Sequence, residues 1–459
     1  MWRHLAFRKL GPAGIEIALL VFCVLDAFYL RFHYSPLDMP DRDLIVMRAL
    51  LIAFVIQFFL QLRDVYDYRK LRSISENSLR LAQALIMAST VLLVLYSLFP
   101  ILQLGRGVLG ISLLICAVFL FIWQVLLRIY IGARPPRSNI LVLGTGKLAR
   151  DLVKEVLHRP ELGMRIKGFV DDNPALLGVS IINPKVIGLY HDLPQLVQKH
   201  QVDRIIVALK DRRGRLPFKE LLDFKTRGID VEDATTLYER VTGKIAIENL
   251  NPSWMIFNTG FQVSRRKLIT KRALSLAVSL LLLMIFSPAI LLAMILIKLD
   301  SPGPVFHRQE RVGQDGRIFT LWKFRSMRKD AERDTGPVWA TQGDSRVTRV
   351  GKILRRTRLD ELPQLYNVFR GDMDIVGPRP ERPGFVEELT AVIPYYQLRH
   401  AVKPGVTGWA QINYRYANSV EHSVEKLQYD LFYTKNLSFL LDFFIILRTV
   451  KTVLVEKGS

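Results

Sequence analysis

The sequence predicts a multi-domain α and α/β membrane protein: four transmembrane helices, then a doubly wound parallel sheet, then a mostly helical C-terminal part. Three observations predict it. Four long apolar runs fill the first third of the chain, strand-like and helix-like segments alternate through the middle, and a fifth apolar run opens a last third rich in Arg, Pro and Gly. The expected divisions are 1–133, 134–263 and 264–459.

The four runs, about Gly14–Leu30, Ile45–Leu62, Leu81–Phe99 and Val108–Ile131, each have the length a helix needs to cross a bilayer. Basic residues orient them. Arg3, Arg8 and Lys9 precede the first, Arg63, Arg69, Lys70 and Arg72 separate the second from the third, and Arg128, Arg134 and Arg137 follow the fourth. The remaining loops are poorer in Lys and Arg; the first holds Asp38, Asp41 and Asp43. Positive charge marks the inner face, so the N-terminus and everything after Ile131 are expected inside. Glu16 and Asp26 lie in or near the first run, and a helix contact or a headgroup position is expected for them.

After the Arg134-Pro-Pro-Arg137 linker, Asn139–Leu143 reads as a buried strand that enters Gly144-Thr-Gly146-Lys-Leu-Ala149. A second strand ends at Asp171, a third covers Asp203–Leu209, and helices follow near Lys147–His158 and Leu216–Arg227. This alternation predicts a Rossmann-like parallel sheet. Gly144 and Gly146, with Asp171 at the distance suited to a ribose hydroxyl, are candidate nucleotide-binding residues. A lone glycine motif is a weak signal.

The whole chain of 459 residues is half hydrophobic, with a formal net charge of +22. An apolar but basic chain suits anionic headgroups and phosphorylated substrates. No helix-turn-helix, zinc or RNA-module signature accompanies the charge, so nucleic acid is not the expected partner. The two cysteines, Cys23 and Cys116, both fall in apolar runs and are too few for a disulfide framework or a zinc site.

The fifth run, Ala273–Ile297, is long enough to span, yet Arg265, Arg266, Lys267, Lys271 and Arg272 precede it and Lys298, Arg308 and Arg311 follow. A crossing would place one basic cluster outside. Ser287-Pro288 also interrupts it, and proline bends a helix by removing a donor. A re-entrant helix, turning at Ser287 and Pro288 with both ends inside, satisfies charge and kink together; a kinked spanning helix is the alternative. The Ser287 hydroxyl is expected to serve a carbonyl that the proline frees. The final segment, Leu437–Leu454, reads as an amphipathic helix.

Chemistry concentrates in Thr357-Arg-Leu-Asp360-Glu361-Leu-Pro363-Gln. The pattern suggests a helix start capped by Thr357, with two adjacent carboxylates in its first turn. An ionised carboxylate can attack phosphorus, and its neighbour can hold Mg²⁺ against pyrophosphate oxygens. Lys323, Arg325 and the proline-flanked Arg379 supply cations suited to phosphate. The loop Lys403-Pro-Gly405-Val-Thr-Gly408-Trp409 offers close backbone approach to a ligand.

From Lys271 onward the chain resembles the bacterial sugar transferases called polyprenyl-phosphate phosphoglycosyl transferases, of the monotopic superfamily. The resemblance runs through Ser287-Pro288, Ser301-Pro-Gly-Pro-Val-Phe306, Lys323-Phe-Arg325, Leu359-Asp-Glu-Leu-Pro-Gln364, Gly371-Asp-Met-Asp-Ile-Val-Gly-Pro-Arg-Pro380 and Lys403-Pro-Gly-Val-Thr-Gly-Trp409. Four spans and a Rossmann-like domain ahead of it resemble the large-form members that initiate exopolysaccharide or O-antigen synthesis. Asp374 stands where many relatives carry serine and receives no role.

The resemblance implies a bacterial inner-membrane enzyme with its catalytic domain on the cytosolic face. Its reaction would be transfer of a sugar-1-phosphate from a UDP-sugar to undecaprenyl phosphate, with UMP released. Asp360 would be the nucleophile, Glu361 the Mg²⁺ ligand, and Lys323, Arg325 and Arg379 the phosphate or nucleotide ligands, with Asp430 a further substrate-binding candidate. Downstream glycosyltransferases are the expected partners, and a homo-oligomer is left open. Two rival readings differ in class. A nucleotide-sugar oxidoreductase or dehydratase rests on the glycine motif, but the Tyr66–Lys70 pair lies upstream of that domain. A non-enzymatic membrane scaffold is the other. The sugar itself is not legible in the sequence.

Overall fold

The computed structural model describes residues 2–33, 44–63, 65, 74–133, 138–159, 162–209, 216–249, 260–261, 264–328, 346–414 and 419–455. The acidic first loop, the Tyr66–Lys70 pair and the Arg134–Arg137 linker lie outside these. The chain forms two compact units, Met1–Ala234 and Thr235–Ser459.

In the first unit the four apolar runs are helices α1 (Trp2–His33), α2 (Ile45–Leu62), α3 (Ile74–Leu98) and α4 (Arg106–Ala133). α2, α3 and α4 each carry a segment long and apolar enough to cross a membrane. Leu20, Val24, Ile52, Ile56, Leu92 and Leu120 meet in their shared core, and Cys23 and Cys116 are buried there as free thiols. Glu16 is a helix contact. It is fully buried, accepting from Trp123 Nε1 at 2.8 Å and from Gln57 Nε2 at 3.3 Å. A buried carboxylate needs such donors, since an unbonded one costs several kcal/mol, roughly.

The sheet has five parallel strands in the order β3-β2-β1-β4-β5: β1 (Ser138–Leu143), β2 (Met164–Asp171), β3 (Val186–Leu189), β4 (Arg204–Val207) and β5 (Asp230–Asp233). Helices α5 (Lys147–Leu157), α6 (Leu193–Lys199) and α7 (Phe218–Thr226) intervene. Leu141, Leu143, Val170 and Ile205 form its core with Leu193 and Phe224. This is the doubly wound sheet predicted. Gly144 turns the chain after β1 at φ 94°, and a Cβ there would press on Leu209 at 3.1 Å.

The second unit begins with α8 (Ala234–Thr242), which follows β5 directly. Then come α9 (Arg265–Asp300), a hairpin of β6 (Phe306–Val312) and β7 (Ile318–Phe324), α10 (Arg349–Thr357), α11 (Gln364–Arg370), β8 (Asp374–Val376), α12 (Pro383–Val392), β9 (Gly405–Thr407), α13 (Trp409–Asn413), α14 (Val420–Lys435) and α15 (Phe439–Val455). The helical assignment of α9 continues through Pro288. Pro288 has no N–H for the Met284 carbonyl four residues back. The Ser287 hydroxyl donates to that oxygen instead, at 3.1 Å.

Both ends of α9 are fastened to the same compact unit. At the start, Lys271 Nζ donates to the Val376 carbonyl at 2.5 Å, Ser275 Oγ accepts from the Ile375 amide, and Arg272 donates to the Val368 and Phe369 carbonyls. At the end, Asp300 accepts from the Val350 amide, while Ala293 and Ile297 pack with Phe324 and Leu354. Between these anchors Leu280, Leu281, Met284, Ile285, Leu291 and Leu292 are exposed. Lys271 and Arg272, counted above as flanking charges, thus face the protein.

α8 packs within this second unit although the sequence suggested a boundary near 264. Lys435 Nζ donates to Glu239 at 2.6 Å with both side chains buried, Trp409 Nε1 donates to the Gly243 carbonyl at 2.9 Å, and Lys244 pairs with Glu425. Glu239→Ala deletes the carboxylate beside a buried ammonium, a change that costs about 3–5 kcal/mol. A chain beginning at Ser264 should therefore melt well below one beginning at Thr235, in detergent and by differential scanning fluorimetry. Equal melting temperatures would show that α8 is dispensable.

Candidate active site

The site forms where the β6–β7 hairpin, the turn between α10 and α11, and the segment after β8 converge. In β7 the pleat alternates side chains. Phe324 packs with Ala293 and Ile297 of α9, and Trp322 meets Phe306 edge to face. Lys323 therefore takes the opposite face.

Asp360 and Glu361 lie on a single 3-10 turn, Leu359–Glu361, not in the first turn of a helix. The expected Thr357 cap is not formed. Thr357 ends α10 and its hydroxyl turns back to the Ile353 carbonyl at 2.9 Å. The reversal falls at Arg358, in the left-handed region at φ 57°, a conformation that costs a non-glycine residue roughly 1 kcal/mol or more. Pro363 then precedes α11.

Arg379 reaches Glu361 from the segment after β8, with Nη2 donating to Oε1 at 2.6 Å; Lys323 Nζ stands 3.6 Å from the same oxygen. Burial opposes charge on Glu361, but Arg379 and Lys323 overcome it and hold the carboxyl well below the usual range. Burial, with Arg379 and Arg311 nearby, lowers Lys323 to about 8 despite the facing Glu361. Asp360 differs from its neighbour. Burial and the adjacent Glu361 push it upward, against Lys323, Arg355 and Arg379. Among the described residues no hydrogen bond or ion pair engages it. Two adjacent carboxylates thus have opposed environments, the pattern expected where they divide roles. Glu361 is pinned and compensated. Asp360 is unengaged beside a cationic wall.

The loop once expected to approach a ligand serves the backbone instead. β9 runs parallel to β8, and Gly377 donates to the Thr407 carbonyl at 2.8 Å. A Cβ on Gly405 would lie 2.0 Å from the Gly377 nitrogen, and one on Gly408 would lie 2.2 Å from its carbonyl oxygen. Only glycine permits this approach, and it sets the root of Arg379.

Arg325 does not join the group. β7 ends at Phe324, and the Arg325 guanidinium turns to the carboxyl end of α9. It donates to the Pro302 carbonyl at 3.0 Å, the Ser301 carbonyl at 2.7 Å and the Ile297 carbonyl at 3.3 Å. A helix end leaves carbonyls unsatisfied, and a cation there is favoured. Asp430 is also apart. It is buried, accepting from Arg399 Nη2 at 2.8 Å. Asp374 is buried with its carboxylate 3.7 Å from Lys271 Nζ, in a cluster completed by Tyr433 and Asp442. Ser287 and Pro288 are exposed on α9, outside this group. In the sheet, Asp171 accepts from the Thr145 hydroxyl at 2.7 Å and from the Asn173 amide at 3.2 Å, so its carboxylate braces the Gly144–Gly146 turn. Sequence reasoning missed Arg399 and Arg311. Their contacts with Asp430 and Pro380 lie far along the chain, where sequence spacing gives no signal.

No cluster of three or more His, Cys, Asp or Glu occurs among the described residues. Mg²⁺ bound through one or two carboxylates, with water and phosphate completing its shell, needs none. Glu361 would fit that mode.

The family model described as "Bacterial sugar transferase" matches residues 266–456, and one described as "CoA-binding domain" matches residues 61–215. The UDP-glucose:undecaprenyl-phosphate glucose-1-phosphate transferase of Escherichia coli (strain K12) is 35% identical over 70% of this chain and 69% of its own length. The chain belongs to the bacterial sugar transferase family. A UDP-N-acetylgalactosamine-undecaprenyl-phosphate N-acetylgalactosaminephosphotransferase of Aeromonas hydrophila is 40% identical over 50% of this transferase, and the match spans about half, 54%, of that relative. An exopolysaccharide production protein of Rhizobium leguminosarum bv. phaseoli is 41% identical over 41% of this chain and 97% of its own.

If the Arg325 contacts are its task, Arg325→Lys should cost about 2–4 kcal/mol of stability through the carbonyls it releases. The folded fraction should keep its Michaelis constant. A raised Michaelis constant with unchanged melting temperature would return Arg325 to a phosphate-binding role.

Proposed function

We propose that this transferase moves a sugar-1-phosphate from a UDP-sugar to undecaprenyl phosphate. The observation that carries this reading is Asp360, unengaged among the described residues, beside a Glu361 held ionised by Arg379 and Lys323. An Asp360 oxygen attacks the β-phosphorus, forming an acyl-phosphate. The bond from that phosphorus to the bridging oxygen breaks, and UMP leaves with the electron pair. A phosphate oxygen of undecaprenyl phosphate then attacks the same phosphorus and restores the Asp360 carboxylate. Lys323 and Arg379 bind phosphate oxygens as charge shifts onto the leaving group. When bound by Glu361, Mg²⁺ would neutralise pyrophosphate oxygens. Initiation of an exopolysaccharide or O-antigen glycan, on the cytosolic face of the inner membrane, is the setting this reading implies.

Re-entry of α9 belongs to the same proposal. A helix that spans puts its ends on opposite sides of the bilayer, yet both ends of α9 are bonded to one compact unit. The exposed apolar stretch between them, with Pro288 near its centre, is suited to dip into one leaflet. That places the site at the headgroup plane, where the lipid phosphate lies.

Release of UMP from a panel of UDP-sugars, with undecaprenyl phosphate added, tests the reaction. Asp360→Asn keeps the shape and removes the nucleophile, so turnover should fall by orders of magnitude, about 10⁴-fold, and no phosphosugar adduct should form. A variant that keeps a few per cent of activity, with deamidation excluded by mass spectrometry, sinks the assignment. For topology, Cys23 and Cys116 are replaced and single cysteines placed at the exposed Lys267 and Lys298. Both should resist an impermeant thiol reagent added outside intact cells. Labelling at one position alone would mean that α9 spans.

A further inference from the structure

We propose that Arg399 is a positioning residue: it fixes the Arg379 carbonyl and so determines where the Arg379 side chain meets Glu361. The inference rests on the reading of the site given above and adds a residue that does not itself touch substrate.

Arg379 sits between Pro378 and Pro380. Neither proline has an N–H, so the segment cannot anchor itself through its own donors there. Its carbonyls are held instead, one after another, from different elements. Pro378 accepts from the Gly405 amide at 3.0 Å, Arg379 from Arg399 Nη2 at 3.0 Å, Pro380 from Arg311 Nη1 at 3.0 Å, and Glu381 from the Val312 amide at 3.0 Å. The anchor at residue 379 is a side chain. Arg399 is buried, and all three of its nitrogens are committed. Nε donates to Asp430 at 3.1 Å, Nη1 to the Tyr396 hydroxyl at 2.8 Å, and Nη2 to both Asp430 and the Arg379 carbonyl. Asp430 and Tyr396 thus fix the plane of the guanidinium, and the plane fixes the carbonyl.

The guanidinium fork is what makes this possible. A lysine at 399 keeps the charge that Asp430 requires, but a single ammonium does not reproduce three donors in one rigid plane. Arg379 would keep its charge and lose its place. Misplacing a group by about 1 Å can cost on the order of 100-fold in rate.

The test is UMP release by the full chain in lipid nanodiscs, measured as kcat and KM, with the melting temperature of each variant. Arg399→Lys should lower kcat about 10- to 100-fold, by the misplacement argument. It should also raise KM for the UDP-sugar. Tyr396→Phe, which removes one bond from the guanidinium and leaves Asp430 paired, should do the same to a smaller extent. Glu239→Gln serves as the control for mere instability; it should lower the melting temperature and the active fraction and leave KM unchanged. If Arg399→Lys behaves like that control, or like the parent protein, Arg399 is structural and the inference is overturned. If the parent protein itself releases no UMP from any UDP-sugar, it is the proposed reaction that fails.

Discussion

A carboxylate that stays ionised while mostly out of water must be given positive charge, and in this protein that requirement falls on Glu361. Arg379 meets it at 2.6 Å, with Lys323 farther off at 3.6 Å. Much of the second unit can be understood as what it takes to put Arg379 there. Its backbone is squeezed between prolines, the strand before it is pressed against β9 through glycines, and its carbonyl is bonded by a buried guanidinium. Desolvation makes a misaligned pair expensive, so a buried pair repays only good geometry. The effort spent on rigidity around residue 379 follows from that sign.

The membrane helix is part of the same construction. Lys271 and Ser275 bond to β8 one or two residues before Gly377, and Arg272 bonds to the last turn of α11, the helix that begins just after the two carboxylates. The far end of α9 is capped by Arg325, two residues beyond Lys323 on the same chain segment. Each wall of the site therefore has a direct attachment to the apolar helix. The helix acts as a beam on which the candidate site is mounted.

Much of this was legible in the sequence for physical reasons. Apolar length gave α2, α3 and α4, because a bilayer sets a minimum length. Alternation with glycine at a strand end gave the parallel sheet, because Gly144 must adopt a positive φ. Asp360, Glu361, Lys323 and Arg379 stood out as acids and bases in restricted backbone, and the fold does bring them together. What failed was whatever depends on distant partners. Thr357 and Asp360 have the spacing of a capping box, yet the chain reverses at Arg358 and the two fall on different elements. Arg325 looks like a phosphate ligand, yet the end of a helix that terminates at Asp300 reaches it first. The Arg399 partner Asp430 is 31 residues away, so its spacing gives no signal. The start of the second unit was missed because α8 continues the β/α rhythm while its contacts belong elsewhere.

The buried cluster at Lys271 has a consequence for substitutions within it. One ammonium there lies within 3.7 Å of Asp374 and 3.3 Å of Asp442, and Tyr433 donates to the second acid. Loss of Lys271 alone would strand two acids in a dry interior, whereas loss of Asp374 alone would leave a simple pair. The three positions are therefore coupled by charge. By this balance of charge, an uncharged residue at 374 leaves Lys271 with Asp442 as its partner, whereas an uncharged residue at 271 leaves both acids without their counter-charge.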